Sequence, residues 1–149
     1  MTPNQKAFLD MIAVSEGTAD RGDNGYNVIV GGALFSPYDT HPRVLVDLGH
    51  GLKSTAAGRY QLLARYFDAY KKQLKLPDFS PKSQDTIALQ QIKECRALDD
   101  IEAGRLHLAV KKCAHIWASL PDAGYGQHEN DYEDLRTAFC DAGGTISEG

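Results

Sequence analysis

The sequence is poor in cysteine, has no long apolar run and gathers its positive charge in no one place. Each shortage removes a class of function. Three cysteines, Cys95, Cys113 and Cys140, are too few and odd in number for a disulfide framework. Buried thiols are the simpler expectation, with one disulfide and a spare thiol left open. A nucleophilic cysteine requires a partnered histidine, and nothing in the local sequence points to one. No stretch approaches the roughly 18 apolar residues of a membrane span. Lys6 and Asp10 interrupt the first apolar segment, so neither a secretory signal nor membrane insertion is expected. Lys and Arg number 16 against 20 Asp and Glu, a net charge of −4. Phosphate binding needs a concentrated basic face, so nucleic acid is not expected as a partner. Lys71-Lys72 and Lys111-Lys112 read as solvated helix faces, the alternative being weak attraction to an anionic envelope. The histidines His41, His50, His107, His115 and His128 form no His-x-x-x-His pair and no cluster with cysteine. His107 and His115 lie too far apart along a helix for one ion. No metal or other cofactor is expected, and a metal-dependent amidase or peptidase is disfavoured.

What is present suits one domain. The 149 residues are 42% hydrophobic and 24% charged, enough for one core over residues 1–149. Thr2-Pro3 is a helix-start signal. Ala7, Phe8, Met11, Ile12 and Ser15 follow at helical spacing, and Gly17 is placed to end that helix. Residues 17–25 form a Gly/Asp/Asn-rich loop. Tyr26, Val28 and Val30 alternate as a short strand, Gly31-Gly32 turns, and residues 33–35 return, so a hairpin is expected directly after the first helix. Residues 36–57 read as an irregular or short-stranded excursion that would wall a cleft. Further helices are expected over 58–74, from Ser80-Pro81 to Cys95, over 98–103, over 106–120 before Pro121, and over 131–142. The fold class is therefore α+β, mostly helical, with a small early antiparallel sheet.

Three places carry chemistry. Glu16 ends an apolar helix. A carboxyl can protonate a leaving oxygen near neutral pH only where poor solvation raises its pKa. A Glu in that position is more often an exposed carboxylate, although a negative charge at a helix C-terminus opposes the helix dipole, a mild hint of function. Gly58-Arg59-Tyr60-Gln61, expected at a helix start, joins a permissive glycine to an amide with donor and acceptor, suited to N-acetyl and hydroxyl groups. The bland reading of Gln61 is a polar first-turn residue. Tyr125-Gly126-Gln127 combines an aromatic face, a glycine and an amide, and by itself is also an ordinary loop. Trp117, among Ile116, Ala118 and Leu120, reads as core rather than as a stacking platform. A non-enzymatic glycan-binding module would rely on such platforms.

The segments FLDMIAVSEGT (8–18), YNVIVGG (26–32), LKSTAAGRYQLL (52–63), FSPKSQDTIALQQIKE (79–94), IWASLPDAGYGQ (116–127) and AGGT (142–145) occur in order along nearly the whole chain. They closely resemble the phage-lambda-type endolysins, lysozyme-like lytic transglycosylases that degrade host peptidoglycan. The resemblance implies a lysozyme-like fold with the sheet flanking a substrate cleft. It implies that Glu16, in Ser-Glu-Gly-Thr, is the catalytic residue. It places Gly58, Tyr60 and Gln61 at the cleft and Tyr125, Gly126 and Gln127 along the glycan site, with Tyr26 as a further candidate facing the groove. The implied partner is the peptidoglycan glycan strand, reached in the cell wall by release through a separate holin; a monomer is the expectation for a small enzyme acting on a polymer mesh, and synthesis in the host cytoplasm is expected from the missing secretory signal. The likeness is loose over residues 39–51 and 99–112, and the acidic tail after Thr145 differs.

Most glycosidases use two carboxylates. Phage lysozymes that hydrolyse carry an Asp at the position that is Gly25 here, followed by a Thr, whereas this chain has no Thr until Thr40. Asp20 and Asp23 lie in a loop whose simplest reading is turn chemistry. The expected reaction is therefore lytic transglycosylation between N-acetylmuramic acid and N-acetylglucosamine, giving a 1,6-anhydro sugar. Glu16 acts as acid and then as base. The alternative is a hydrolytic muramidase using Asp20 or Asp23.

Overall fold

The computed structural model describes residues 1–121 and 129–147. Among them the helices are α1 (Pro3–Glu16), α2 (Ala64–Leu74), α3 (Pro81–Glu94), α4 (Leu98–Glu102), α5 (Leu106–Cys113) and α6 (Tyr132–Asp141). One antiparallel sheet joins β1 (Val46–Gly49) to β2 (Leu52–Ser54). The class is α+β, as expected. No described helix is long and apolar enough to cross a membrane. The residues form two compact units, Met1–Gly17 with Ala88–Gly149, and Thr18–Ile87.

The first unit is built around α1. Thr2 Oγ1 accepts the Gln5 amide at 3.1 Å and Gln5 Oε1 accepts the Thr2 amide at 3.1 Å, a reciprocal capping box, with Pro3 in the first turn. Gly17, at φ 77°, closes the helix by donating to the Ala13 and Val14 carbonyls, the left-handed cap that glycine adopts without strain. Ala7, Phe8, Leu9, Met11, Ile12 and Ala13 are buried, so α1 is apolar nearly all round and forms the centre of its unit. It packs against α4 and α6. Asn4 Nδ2 donates to the Ile101 carbonyl at 2.8 Å, and Asn4 Oδ1 accepts the Thr145 amide at 2.9 Å, tying the helix start to the chain end. Helix α5 is shorter than expected: after Cys113 the chain runs on in turns, and Trp117, 3% exposed, is core there rather than on a helix.

The second unit differs more from its sequence reading. The hairpin expected over residues 26–35 is reduced to a single bridge between Val28 and Leu34, turning at Gly31 and Gly32 (φ 92° and 108°). The regular hairpin lies further on, within the excursion, where His50 and Gly51 make the turn. Its Leu48 and Leu52 are exposed, so burial pattern could not have revealed it. Helix α2 begins at Ala64, not at Gly58, because the backbone doubles back first. Ala57 and Leu62 exchange both amide hydrogen bonds (3.0 and 2.9 Å) around a turn in which Gly58 (φ 87°) and Gln61 (φ 54°) are left-handed. Ala57, Leu62, Phe67, Phe79 and Ile87 form the core, covered by Phe35, Tyr70, Leu74 and Leu76. Buried His41 sits against Phe79, ring centroids 4.9 Å apart.

Candidate active site

Glu16 is the last residue of α1 and keeps part of its surface exposed. Its carboxyl pKa is nonetheless pushed up to about 7 by loss of water around the charged form, opposed by the Ser119 hydroxyl. Ser119 Oγ donates to Glu16 Oε2 at 2.9 Å. Behind it, the Ser15 and Ser119 hydroxyls lie 2.7 Å apart, and Asn130 Nδ2 donates to Ser15 O (3.0 Å), Ser15 Oγ (3.1 Å) and Ser119 O (3.2 Å). A carboxyl that is half protonated near pH 7 can give up a proton and take one back. The sequence reading missed Ser119 and Asn130. Each is an ordinary loop polar residue, and only the fold brings them to the end of α1.

In the unit Thr18–Ile87, three of the candidates, Tyr26, Gly58 and Tyr60, converge on α3. The Tyr26 and Tyr60 hydroxyls both donate to Asp85 Oδ1, at 2.9 and 2.6 Å. Their rings meet edge to face, 6.3 Å between centroids. The Arg59 guanidinium lies 5.4 Å from the Tyr26 ring centroid and 5.7 Å from that of Tyr60, a cation over two aromatic faces. Burial, first, and the neighbouring Asp85 charge hold the Tyr60 hydroxyl far above its ordinary pKa, so it stays a donor. Tyr60 is 5% exposed and offers no stacking face; Tyr26 is half-buried.

Gln84 assembles this group. It is 3% exposed. Its Oε1 accepts the Arg59 amide at 2.9 Å, and its Nε2 donates to the carbonyls of Tyr26 (3.0 Å) and Phe79 (2.9 Å). Gly58 lies so close that an added Cβ would stand 2.4 Å from Gln84 Oε1 and 2.9 Å from the Phe79 ring. Gly58 is thus required by packing as well as by its left-handed backbone. Gln61 is not at a helix start: its Nε2 donates to the Gly58 carbonyl at 2.9 Å and the Val28 carbonyl at 3.3 Å, so its amide hydrogens hold the turn. Asp85 and Gln84 were not singled out in the sequence, since one acid and one amide on a helix carry no signal by themselves. Tyr125, Gly126 and Gln127 lie outside the described residues.

The two acids considered as a second carboxylate are both exposed. Asp23 Oδ2 accepts the Tyr38 hydroxyl at 2.6 Å, and the Asp23 amide donates to Asn27 Oδ1 at 2.8 Å, which is turn chemistry. Gly25 is buried at φ 87°, and an added Cβ would meet the Thr18 carbonyl oxygen at 2.6 Å. No side chain of any kind fits there without the turn moving. Among the described residues no group of His, Cys, Asp and Glu could hold a metal ion. The cysteines are all free, and only Cys113 is buried, so the expectation of buried thiols holds for one of the three. Cys95 Sγ does lie 3.8 Å from His115 Nε2, a neighbour that the local sequence did not suggest.

The family model described as Endolysin matches residues 6–146. The chain is 59% identical to the endolysin of Escherichia phage lambda, over 97% of this chain and 94% of that one. It is 51% identical to the endolysin of Escherichia phage P2, over 95% and 93%. Among solved structures it matches bacteriophage lambda lysozyme in complex with a chitohexasaccharide at a TM-score of 0.97 and 56% identity, covering 99% of this chain and 98% of that one. A second structure, lysozyme from bacteriophage lambda, matches with a TM-score of 0.92 over the same shares.

Proposed function

Because this chain belongs to the endolysin family, enzymes that act on the bacterial cell wall, we propose that it cleaves peptidoglycan glycan strands by lytic transglycosylation with Glu16 as sole acid and base. The observation that carries the reading is the desolvated Glu16 carboxyl, with a pKa of about 7 and a serine hydroxyl donating to it. Neutral Glu16 protonates the oxygen bridging N-acetylmuramic acid to N-acetylglucosamine, and the bond from that oxygen to the muramic anomeric carbon breaks. The substrate's N-acetyl group steadies the cationic centre. Ionised Glu16 then removes the proton of the muramic 6-hydroxyl, whose oxygen bonds to its own anomeric carbon. The product is a 1,6-anhydro end, no water is consumed, and Glu16 is protonated again.

Gly25 favours this course over hydrolysis. Where hydrolysing phage lysozymes carry a carboxylate, this turn leaves no room for a side chain. The chitohexasaccharide bound by lambda lysozyme is a β-1,4 polymer of N-acetylglucosamine, which supports a glycan strand as ligand here. Tyr26, with Arg59 and Asp85 beside it, is the binding surface we assign in the unit Thr18–Ile87. Tyr60, Gly58 and Gln61 act from beneath it. Tyr125, Gly126 and Gln127 complete the assignment by family likeness. The protein works as one domain and as a monomer, reaching the wall through a holin pore.

Turnover of purified sacculi tests the residue assignment. Glu16→Gln should lower it by a factor on the order of 10²–10⁴, while Asp20→Asn and Asp23→Asn stay within about threefold of the parent. Loss of turnover in either Asp variant with native secondary structure would replace the single-carboxylate scheme by a two-carboxylate one.

A further inference from the structure

The hydroxyls behind Glu16 have a direction that can be worked out by counting hydrogens. Ser119 has one hydroxyl hydrogen, and it is spent on Glu16 Oε2. The 2.7 Å contact between Ser15 and Ser119 must then be a donation from Ser15. Ser15 Oγ is left to accept, and it accepts from Asn130 Nδ2 at 3.1 Å. Asn130 is itself anchored, its backbone amide donating to the Ser119 carbonyl at 2.8 Å, while the two hydrogens of its side-chain amide are shared among Ser15 Oγ and the Ser15 and Ser119 carbonyls. The chain Asn130 to Ser15 to Ser119 to Glu16 therefore runs one way, each member donating to the next.

We propose that Asn130 is a positioning residue for Glu16, acting through Ser15 and Ser119 to fix which carboxyl oxygen carries the acid proton and how readily it leaves. This rests on the assignment of Glu16 as the acid and base. With Oε2 occupied as an acceptor, the proton resides on Oε1, the oxygen left for the substrate. Once Glu16 ionises, the same chain stabilises the carboxylate, because each donor in a series polarises the next. The chain thus opposes the desolvation that raises the Glu16 pKa, and brings it from too weak an acid to one that titrates near neutrality. Among the described residues no charge shares this task. The described ionisable groups on the elements around α1 are Asp99, Asp100 and Glu102 on α4, Tyr132, Glu133, Asp134, Arg136, Cys140 and Asp141 on α6, and Glu129 and Asp131 before it. None is among the causes of the shift.

The test is the pH dependence of sacculus turnover for the parent, Ser119→Ala, Asn130→Ala and Glu16→Gln, with near-ultraviolet circular dichroism on each. In the parent, activity should fall as pH rises through about 7. Ser119→Ala should move that alkaline limb up by about one pH unit and Asn130→Ala by roughly half a unit, as expected for losing one hydrogen bond next to a charge and one further off. Carboxyl-carbon NMR titration of Glu16 in the same variants should show the same order. Ser119→Ala removes a single oxygen and keeps the test decisive if Asn130→Ala fails to fold. An inactive Glu16→Gln together with unmoved limbs and unmoved NMR titrations in folded variants overturns the positioning role alone. An active Glu16→Gln overturns the underlying assignment.

Discussion

At the residue scale, the account turns on one carboxyl that the fold makes uncomfortable. An acid whose pKa is raised on folding binds more protons in the native state than in the unfolded one between its ordinary value of 4.5 and about 7. The sign follows: folding stability falls as pH climbs through that window, and the full cost is present above it. Glu16→Gln removes the charge and keeps an oxygen to accept from Ser119. It should therefore stabilise the protein at pH 8 by on the order of 2–3 kcal/mol and have almost no effect at pH 4, as read by thermal unfolding at both. Equal melting shifts at the two pH values would mean that Glu16 is not desolvated. Lost activity joined to gained stability is the pairing that separates a working residue from a structural one. Glu16 itself was legible in the sequence only through its family motif, since position at a helix end left the exposed reading ahead. Its raised pKa was not legible, because it depends on what buries the carboxyl, and Ser119 and Asn130 are more than a hundred residues away in the chain.

At the element scale, the short turn before α2 and the first turns of α3 act as one piece. Gln84 makes hydrogen bonds to three separated segments, and Gly58 gives it room. Gly58→Ala should cost about 2–4 kcal/mol, from strain at a left-handed residue together with overpacking against Gln84 and Phe79. Gln84→Leu should cost about 2–3 kcal/mol by leaving buried backbone groups without partners. Because the two share one contact, the double variant should cost less than the sum of the singles. Urea unfolding of the three variants checks this, and strict additivity would contradict the coupling. The helices were legible here from caps and spacing: Ser80-Pro81 opens α3, with Ser80 Oγ accepting the Ser83 amide at 3.4 Å. Residues 58–63 misled because Tyr60 and Leu63 sit at helical spacing with Phe67, while the left-handed backbone at Gln61, a residue with no special liking for that conformation, is set by the turn it closes. The β1–β2 hairpin was legible only as part of an irregular or short-stranded excursion: with Leu48 and Leu52 in solvent, no alternation fixed its strands.

At the scale of the whole molecule, the two units should respond to acid in opposite senses. His41 is buried in the unit Thr18–Ile87. Its Nδ1 accepts the Arg43 amide at 3.0 Å, leaving Nε2–H to donate to the Leu62 carbonyl at 2.8 Å. Burial holds its pKa below the ordinary 6.5. The unfolded chain then takes up a proton first as pH falls below 6.5, so the stability His41 supplies above that value is lost on acidification. The other unit gains over the same range as Glu16 becomes protonated, and its Asp100, held below 3.8 by Lys112 and Arg105, keeps its ion pairs. Native-state hydrogen exchange at pH 5 and pH 8, corrected for intrinsic rates, should show Thr18–Ile87 amides opening more easily at pH 5 and α1 amides less easily. A uniform change along the chain would contradict this division. Fold class was readable from the sequence because long amphipathic segments dominate it. The division into two units was not, since no linker or change of composition marks the passage from Gly17 to Thr18 or the middle of α3.

In the proposed reaction one carboxyl does the chemistry and the sugar, not water, attacks. The most direct measurement is mass spectrometry of the muropeptides released from purified peptidoglycan in water enriched in oxygen-18, with Glu16→Gln as control. Transglycosylation by Glu16 should give 1,6-anhydro-muramic ends, one water lighter than reducing ends, with no heavy oxygen in the product and no release by the variant. Reducing muramic ends carrying oxygen-18 would contradict it.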